Sequence, residues 1–167
     1  MYIFTFSPME TKIIPEWVLK KMYQYCAYQE RSQFDVLEKL RTLPLEERVI
    51  EAVILYLRKE NFINDERFAK TYARGKFYNN KWGRNKIRLG LKSKHIPDLL
   101  IEIGLGEIDG KEYEDVLCRI LHKVDVAKNE KNLQRRKQKL YNYARSKGYE
   151  SHLIWQAIDK IVSYDKE

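Results

Sequence analysis

The sequence predicts an all-α protein of three tandem three-helix modules, forming an elongated, curved monomer. Two observations carry that prediction. The first is an internal echo: a displacement that sets Ser32 over Gly83 also sets Val36 over Ile87, Leu40 over Leu91 and Leu45 over Ile96. A further displacement carries Ile87 onto Leu140, Leu91 onto Ala144, Ile96 onto Tyr149, and Leu100 with Ile101 onto Leu153 with Ile154. A repeat of roughly 50 residues marks stacked helical modules, each too small to bury its apolar face alone. The second observation is composition. With 44% apolar and 34% charged residues but only four prolines and seven glycines, the chain has material for a core and few turn signals, a balance that favours helices.

Module 1 is expected over residues 15–62, after an N-terminal arm at 1–14 in which Tyr2-Ile3-Phe4-Thr5-Phe6 reads as mobile or extended. Pro15 suits a helix start, and Val18, Met22, Tyr25 and Cys26 share a side of the helix that follows, to about Gln29. Ser32 is an N-cap candidate with Asp35 in its first turn, ahead of the stripe Val36, Leu37 and Leu40. Beyond Pro44, Val49, Ile50, Val53, Ile54 and Leu57 recur at three-and-four spacing.

Module 2 is expected over 63–108. Asn64 or Asp65 caps a helix whose inward face is Phe68, Ala69, Tyr72, Ala73 and Phe77. Gly83, acceptable as a cap, opens the next helix with Ile87 and Leu91, and His95 stands at the stop position that Gly148 fills one module later. Pro97 starts a helix carrying Leu99, Leu100, Ile101 and Ile103, after which Gly104 to Gly110 reads as a hinge or linker. Module 3, over 109–163, has stripes at Tyr113, Val116, Leu117, Ile120, Leu121 and Val124; at Leu133, Leu140, Tyr143 and Ala144; and at Tyr149, Leu153, Ile154, Ala157, Ile158 and Ile161. Residues 164–167 are left as a tail.

The net charge of +8 is uneven. Residues 1–62 hold nine basic and nine acidic side chains, residues 63–104 ten and four, and residues 128–147 eight and one. Two concentrated basic stretches point to an anionic partner, nucleic acid or an acidic protein surface. No run has the roughly 20 apolar residues of a membrane span, and the start lacks a signal-peptide pattern, so no membrane is expected and a cytoplasmic location is. Cys26 and Cys118 read as buried free thiols in different modules. His95, His122 and His152 are too scattered for a zinc site, and no phosphate loop or nucleophile motif appears. Neither a cofactor nor an enzyme is expected.

Gln29-Glu30-Arg31-Ser32 leading into Asp35-Val36-Leu37-Glu38-Lys39-Leu40, then Phe62-Ile63-Asn64-Asp65-Glu66-Arg67-Phe68-Ala69, then Lys81-Trp82-Gly83-Arg84-Asn85-Lys86-Ile87 resemble the RecX family of bacterial recombination regulators. His95 departs from the family's usual glycine, and Asp35-Val36 from its common Glu-Leu. The resemblance implies a crescent-like, non-enzymatic monomer that binds the RecA recombinase filament on DNA and restrains its ATPase, strand exchange and coprotease activities, with direct contact to single- or double-stranded DNA left open. A helix-turn-helix-like DNA reader, with Arg84 and Asn85 at its recognition helix, is the competing expectation.

The candidate partner or nucleic-acid contacts are Arg67, Arg74, Lys76, Lys81, Arg84, Lys86, Arg88, Lys92 and Lys94 in the first basic stretch. Lys131, Arg135, Arg136, Lys137, Lys139, Arg145 and Lys147 supply the second. Asp65 and Glu66 read as first-turn acids rather than a catalytic pair. Arg67 is open between an internal pair and a partner, and Trp82 between packing and base stacking.

Overall fold

The computed structural model describes residues 13–128 and 130–164. The expectations for the arm before Ile13 and for the tail after Tyr164 lie outside the described residues. Among those residues are nine helices and no strand. The chain divides into two compact units, one running to Phe68 and taking in Lys94–Ile96, the other made of Ala69–Ser93 and everything from Pro97 onward.

In the first unit α1 (Glu16–Tyr28), α2 (Gln33–Arg41) and α3 (Glu47–Lys59) bury the expected stripes. Val18, Met22, Val36, Leu40, Val53 and Leu57 are wholly inaccessible to solvent, each worth about 1.5–3 kcal/mol relative to exposure. Ser32 is the N-cap of α2 in a full capping box: its Oγ accepts from the Asp35 amide at 3.1 Å, and the Asp35 carboxylate accepts from the Ser32 amide at 3.3 Å. The open choice at the next helix is resolved by a division of labour. Asn64 caps α4 (Asp65–Asn80) by accepting from the Arg67 amide at 2.9 Å, while Asp65 accepts from the Gln33 amide, 2.9 Å away at the start of α2.

The stop position at His95 has a left-handed backbone, φ 56°, as does Gly148 at φ 92°. The His95 ring lies 4.5 Å from Phe34, and the neighbouring Lys94 ammonium is 2.6 Å from Asp35. Burial alone would push the Asp35 carboxyl up; Lys94 and the hydroxyl and amide of Ser32 outweigh it and hold the group below the usual carboxylate range.

The second unit is built from most of α4 with α5 (Arg84–Lys92), α6 (Asp98–Leu105), α7 (Gly110–Lys128), α8 (Leu133–Lys147) and α9 (Ser151–Tyr164). Phe77, Ile87, Leu91, Ile101, Tyr113, Leu117, Leu121, Leu140, Tyr149 and Ile154 form its interior. Two stripe assignments need correction: Leu99 is 73% exposed and Leu133 is 44% exposed, because each sits in the first turn of its helix, ahead of the residues that face the core. The glycine-rich linker narrows to residues 106–109, since Gly104 and Leu105 belong to α6 and Gly110 opens α7. A Cβ on Gly104 would stand 2.8 Å from the Ala69 carbonyl oxygen, so this glycine serves close approach of α6 to α4 rather than flexibility. Cys26 and Cys118 are free and half-buried, and burial pushes both thiols up.

Candidate functional site

The start of α5 is set against the end of α8. The Gly83 amide donates to the Lys147 carbonyl at 2.8 Å and the Asn85 amide to the Gly148 carbonyl at 3.1 Å. Between them the Arg84 amide donates to the Tyr113 hydroxyl at 2.9 Å, which in turn donates to Glu150 at 2.6 Å. The first amides of one helix are thus satisfied by the last carbonyls of another, in the orientation the helix dipoles favour. Gly83 is more than a tolerated cap: a Cβ there would lie 2.3 Å from the Gly148 carbonyl group. Burial, then the bond to Glu150, push the Tyr113 phenol far above its ordinary range.

The structure sorts the candidate cations into engaged and open ones. Arg67 pairs with Glu30 at 2.7 Å and donates to the Asn61 carbonyl at 3.0 Å. Lys94 pairs with Asp35, Arg88 with Glu102 at 2.7 Å, Lys92 with Asp98 at 3.0 Å, and Arg74 stands 3.7 Å from Glu107. Arg84 lies 4.1 Å over the Tyr113 ring and 4.0 Å from Glu150. In the second stretch Arg136 meets both oxygens of Asp125, whose side chain is 8% exposed, Lys137 pairs with Asp159 at 2.8 Å, and Lys139 pairs with Glu130. A buried guanidinium–carboxylate pair of this kind is costly to break from one side. Arg136 is therefore held within the fold, and Arg84 is engaged by Tyr113 and Glu150.

The remaining cations gather around α5 and α8. Trp82 is half-buried with the Lys76 ammonium 5.0 Å and the Lys86 ammonium 4.8 Å from its ring, an arrangement of packing plus cation–π attraction. Lys86 also donates to the Ser146 carbonyl at 3.2 Å. A cleft of about 490 Å³ runs between α5 and α8, with Lys86 on one wall and Arg145 on the other; Asn85, Ser146 and Ser151 add polar groups. Leu89, 68% exposed, supplies an apolar edge. Lys147 stands 5.9 Å from the Tyr143 ring. Lys131 and Arg135 are exposed near the start of α8, and Lys81 lies away from the cleft, donating to the Tyr78 carbonyl at 2.6 Å. Two basic stretches far apart in sequence thus share one cleft, through Lys86 and Arg145.

A family profile described as "RecX, second three-helix domain" matches residues 64–105. The chain is 31% identical over 137 residues to the regulatory protein RecX of Clostridium acetobutylicum and 30% over 143 residues to that of Clostridium beijerinckii. Over most of its length the chain is similar to RecX proteins. The matched stretches are 80% and 81% of this chain but 63% of each clostridial RecX protein, so the chain spans less than two thirds of those relatives. The crystal structure of RecX from Lactobacillus salivarius superposes with a TM-score of 0.78 at 24% identity, over 86% of this chain and 93% of that one. A second crystal structure of regulatory protein RecX gives 0.76 at 24% identity, over 85% and 70%.

The profile match takes in the first basic stretch and one wall of the cleft, whereas Arg145 and Lys147 lie beyond residues 64–105. Sequence reasoning missed two cations that the structure sets near Lys81. Arg119 and Lys123 lie on α7 in a stretch that is acidic on balance, so a regional charge count hides them; their four-residue spacing on an otherwise apolar helix face was the available signal.

Proposed function

We propose that this protein binds the RecA–DNA nucleoprotein filament as a monomer and modulates, mainly by inhibiting, the recombinase's ATPase, strand exchange and coprotease activities. Similarity to RecX proteins carries this reading. In it the protein is a non-enzymatic cytoplasmic regulator, and its repeat is read as modules at 15–62, 63–108 and 109–163. Lys86 and Arg145 in the α5–α8 cleft, with Lys76, Lys147 and the exposed Lys131 and Arg135, supply attraction to an anionic filament. Among the described residues no helix is long and apolar enough to cross a membrane.

The competing reading, a sequence-specific duplex reader, needs the start of α5 free to approach base edges. Instead its first amides are bonded to Lys147, Tyr113 and Gly148, and Arg84 lies over Tyr113. That geometry favours the filament reading.

The deciding experiment titrates the protein into preformed recombinase filaments on single-stranded DNA, and into bare DNA, across salt concentrations. ATP hydrolysis and anisotropy of labelled DNA are followed together. The expected result is a falling ATPase rate. For any direct DNA contact, the logarithm of affinity falls by about 0.7 per phosphate met on single strands, or about 0.9 on duplex, per decade of salt. Tight, selective binding to one bare duplex with an unaltered filament ATPase would reverse the assignment.

A further inference from the structure

A second concavity, sharing no lining residue with the α5–α8 cleft, lies between α7 and α8 beside the turn that ends α4. Its volume is about 530 Å³. Val116, Ile120, Val124 and Tyr143 give it a predominantly apolar floor. Lys81, Arg119 and Lys123 stand around that floor.

The charge on this rim lacks internal compensation. Arg119 and Lys123 are exposed, one helical turn apart, and neither has a carboxylate partner among the described residues. Like charges at this spacing disfavour each other. Of the acids on the same helix, Asp125 is committed to Arg136 and Glu112 accepts from the Tyr78 hydroxyl at 2.9 Å, while Asp115, one turn before Arg119, accepts from its guanidinium through the backbone carbonyl at 3.4 Å. Lys81 keeps its ammonium at the Tyr78 carbonyl, which fills one of its three donor positions.

We infer that this groove docks an acidic peptide segment of a protein partner, one bulky apolar side chain seated on Val116, Ile120 and Tyr143 with flanking carboxylates on Lys81, Arg119 and Lys123. Both halves of the recognition are needed to match the surface. A phosphate backbone would meet the rim and leave the apolar floor wet, whereas an apolar helix alone would leave three cations facing it without partners. A central apolar anchor ringed by polar contacts is the usual anatomy of a peptide-sized interface. The proposal does not require the partner to be the recombinase.

The probe is a short fluorescein-labelled peptide with a central Phe flanked on both sides by Glu, titrated by anisotropy against the full chain. Arg119→Glu with Lys123→Glu is expected to weaken its binding by roughly tenfold or more, with the helical circular dichroism unchanged since both side chains are exposed. Replacing the central Phe by Ala is expected to weaken it comparably, and Lys86→Glu with Arg145→Glu to leave it unaltered. The proposal is overturned if the Glu-Phe peptide does not bind, or if the Ala-centred peptide binds equally well. Equal binding by the Arg119→Glu, Lys123→Glu protein would also overturn it. So would a labelled polythymidine oligonucleotide that loses affinity on that double substitution while the peptide does not, an outcome that would make the groove a nucleic-acid surface.

Discussion

Gly83 and Gly148 meet backbone to backbone. A Cβ built on Gly83 would stand 2.3 Å from the Gly148 carbonyl carbon, and one built on Gly148 would stand 2.3 Å from the Lys86 Cβ. Neither obstacle is the end of a flexible side chain, so the helices themselves must separate to make room. Gly83→Ala is expected to destabilise the protein by about 1–3 kcal/mol through overpacking. Gly148→Ala adds the left-handed backbone cost of about 1–2 kcal/mol at φ 92°. Thermal melts of both variants check this, at about 2–4 °C per kcal/mol for a chain of this size. Equal melting points would mean the two helices are free to part.

Tyr113 bridges α5 and the start of α9, accepting from the Arg84 amide and donating to Glu150. Tyr113→Phe leaves both groups short of a partner and is expected to cost about 1–3 kcal/mol at neutral pH. A pH dependence accompanies it. Burial and Glu150 raise the Tyr113 phenol in the folded state, burial raises Tyr149, and the hydroxyl of Tyr56 raises Tyr23 to about 12. Stability from such groups is whole below the ordinary tyrosine value of about 10 and declines above it, where the unfolded chain releases protons first. Urea midpoints should therefore hold to about pH 10 and fall above it, less steeply in Tyr113→Phe. Parallel curves would contradict the assignment.

At Asp35 the sign is opposite. Its folded carboxyl is lowered against the pull of burial, so its contribution is present above the ordinary value of about 3.9 and is lost as pH drops through the folded value. Lys94→Met should narrow the difference between urea midpoints at pH 7 and pH 3. Ser32→Ala, which removes the buried cap of α2 and the hydroxyl bonded to the Asp35 carboxylate, should cost about 0.5–2 kcal/mol at pH 7 and less at pH 3. An unchanged acid response in Lys94→Met would show that the 2.6 Å pair contributes nothing in solution.

The division of the cations makes a functional test possible. Lys86→Glu with Arg145→Glu should lower filament affinity while leaving the melting point within about 2 °C. Arg136→Met, which strands the Asp125 carboxylate, should instead destabilise the fold by about 3–5 kcal/mol. Anisotropy and calorimetry on the same preparations separate the two outcomes. Lost folding in the first pair would place Lys86 and Arg145 in the framework.

Leu140→Ala and Ile154→Ala truncate side chains that are essentially inaccessible to solvent. Each is expected to cost about 2–5 kcal/mol, the range set by how far the site collapses around the void. Chemical unfolding measures it directly.

Much of the architecture could be read without coordinates. The stripes through Val36 and Leu40, Ile87 and Leu91, and Leu140 and Ala144 are buried as their spacing required. Ser32 caps where a small hydroxyl before an apolar run should, and His95 takes the left-handed turn expected from its register with Gly148. The cation cluster was legible only as a quantity. Arg84, Arg88 and Arg136 have the composition of a contact surface, yet each is engaged by a carboxylate or ring contributed by another helix or a distant loop.

Alone, the order of residues determined the all-helical class, the threefold recurrence and the likeness to RecX proteins. Those properties depend on interactions within one or two helical turns, which linear spacing records. Tertiary structure decided the rest: that Asp65 accepts from the Gln33 amide of α2 instead of capping its own helix, that Gly83 is required by Gly148, and that Lys86 and Arg145 share a cleft. Such partnerships depend on where helices cross, and a crossing brings together residues whose separation along the chain carries no signature of their meeting.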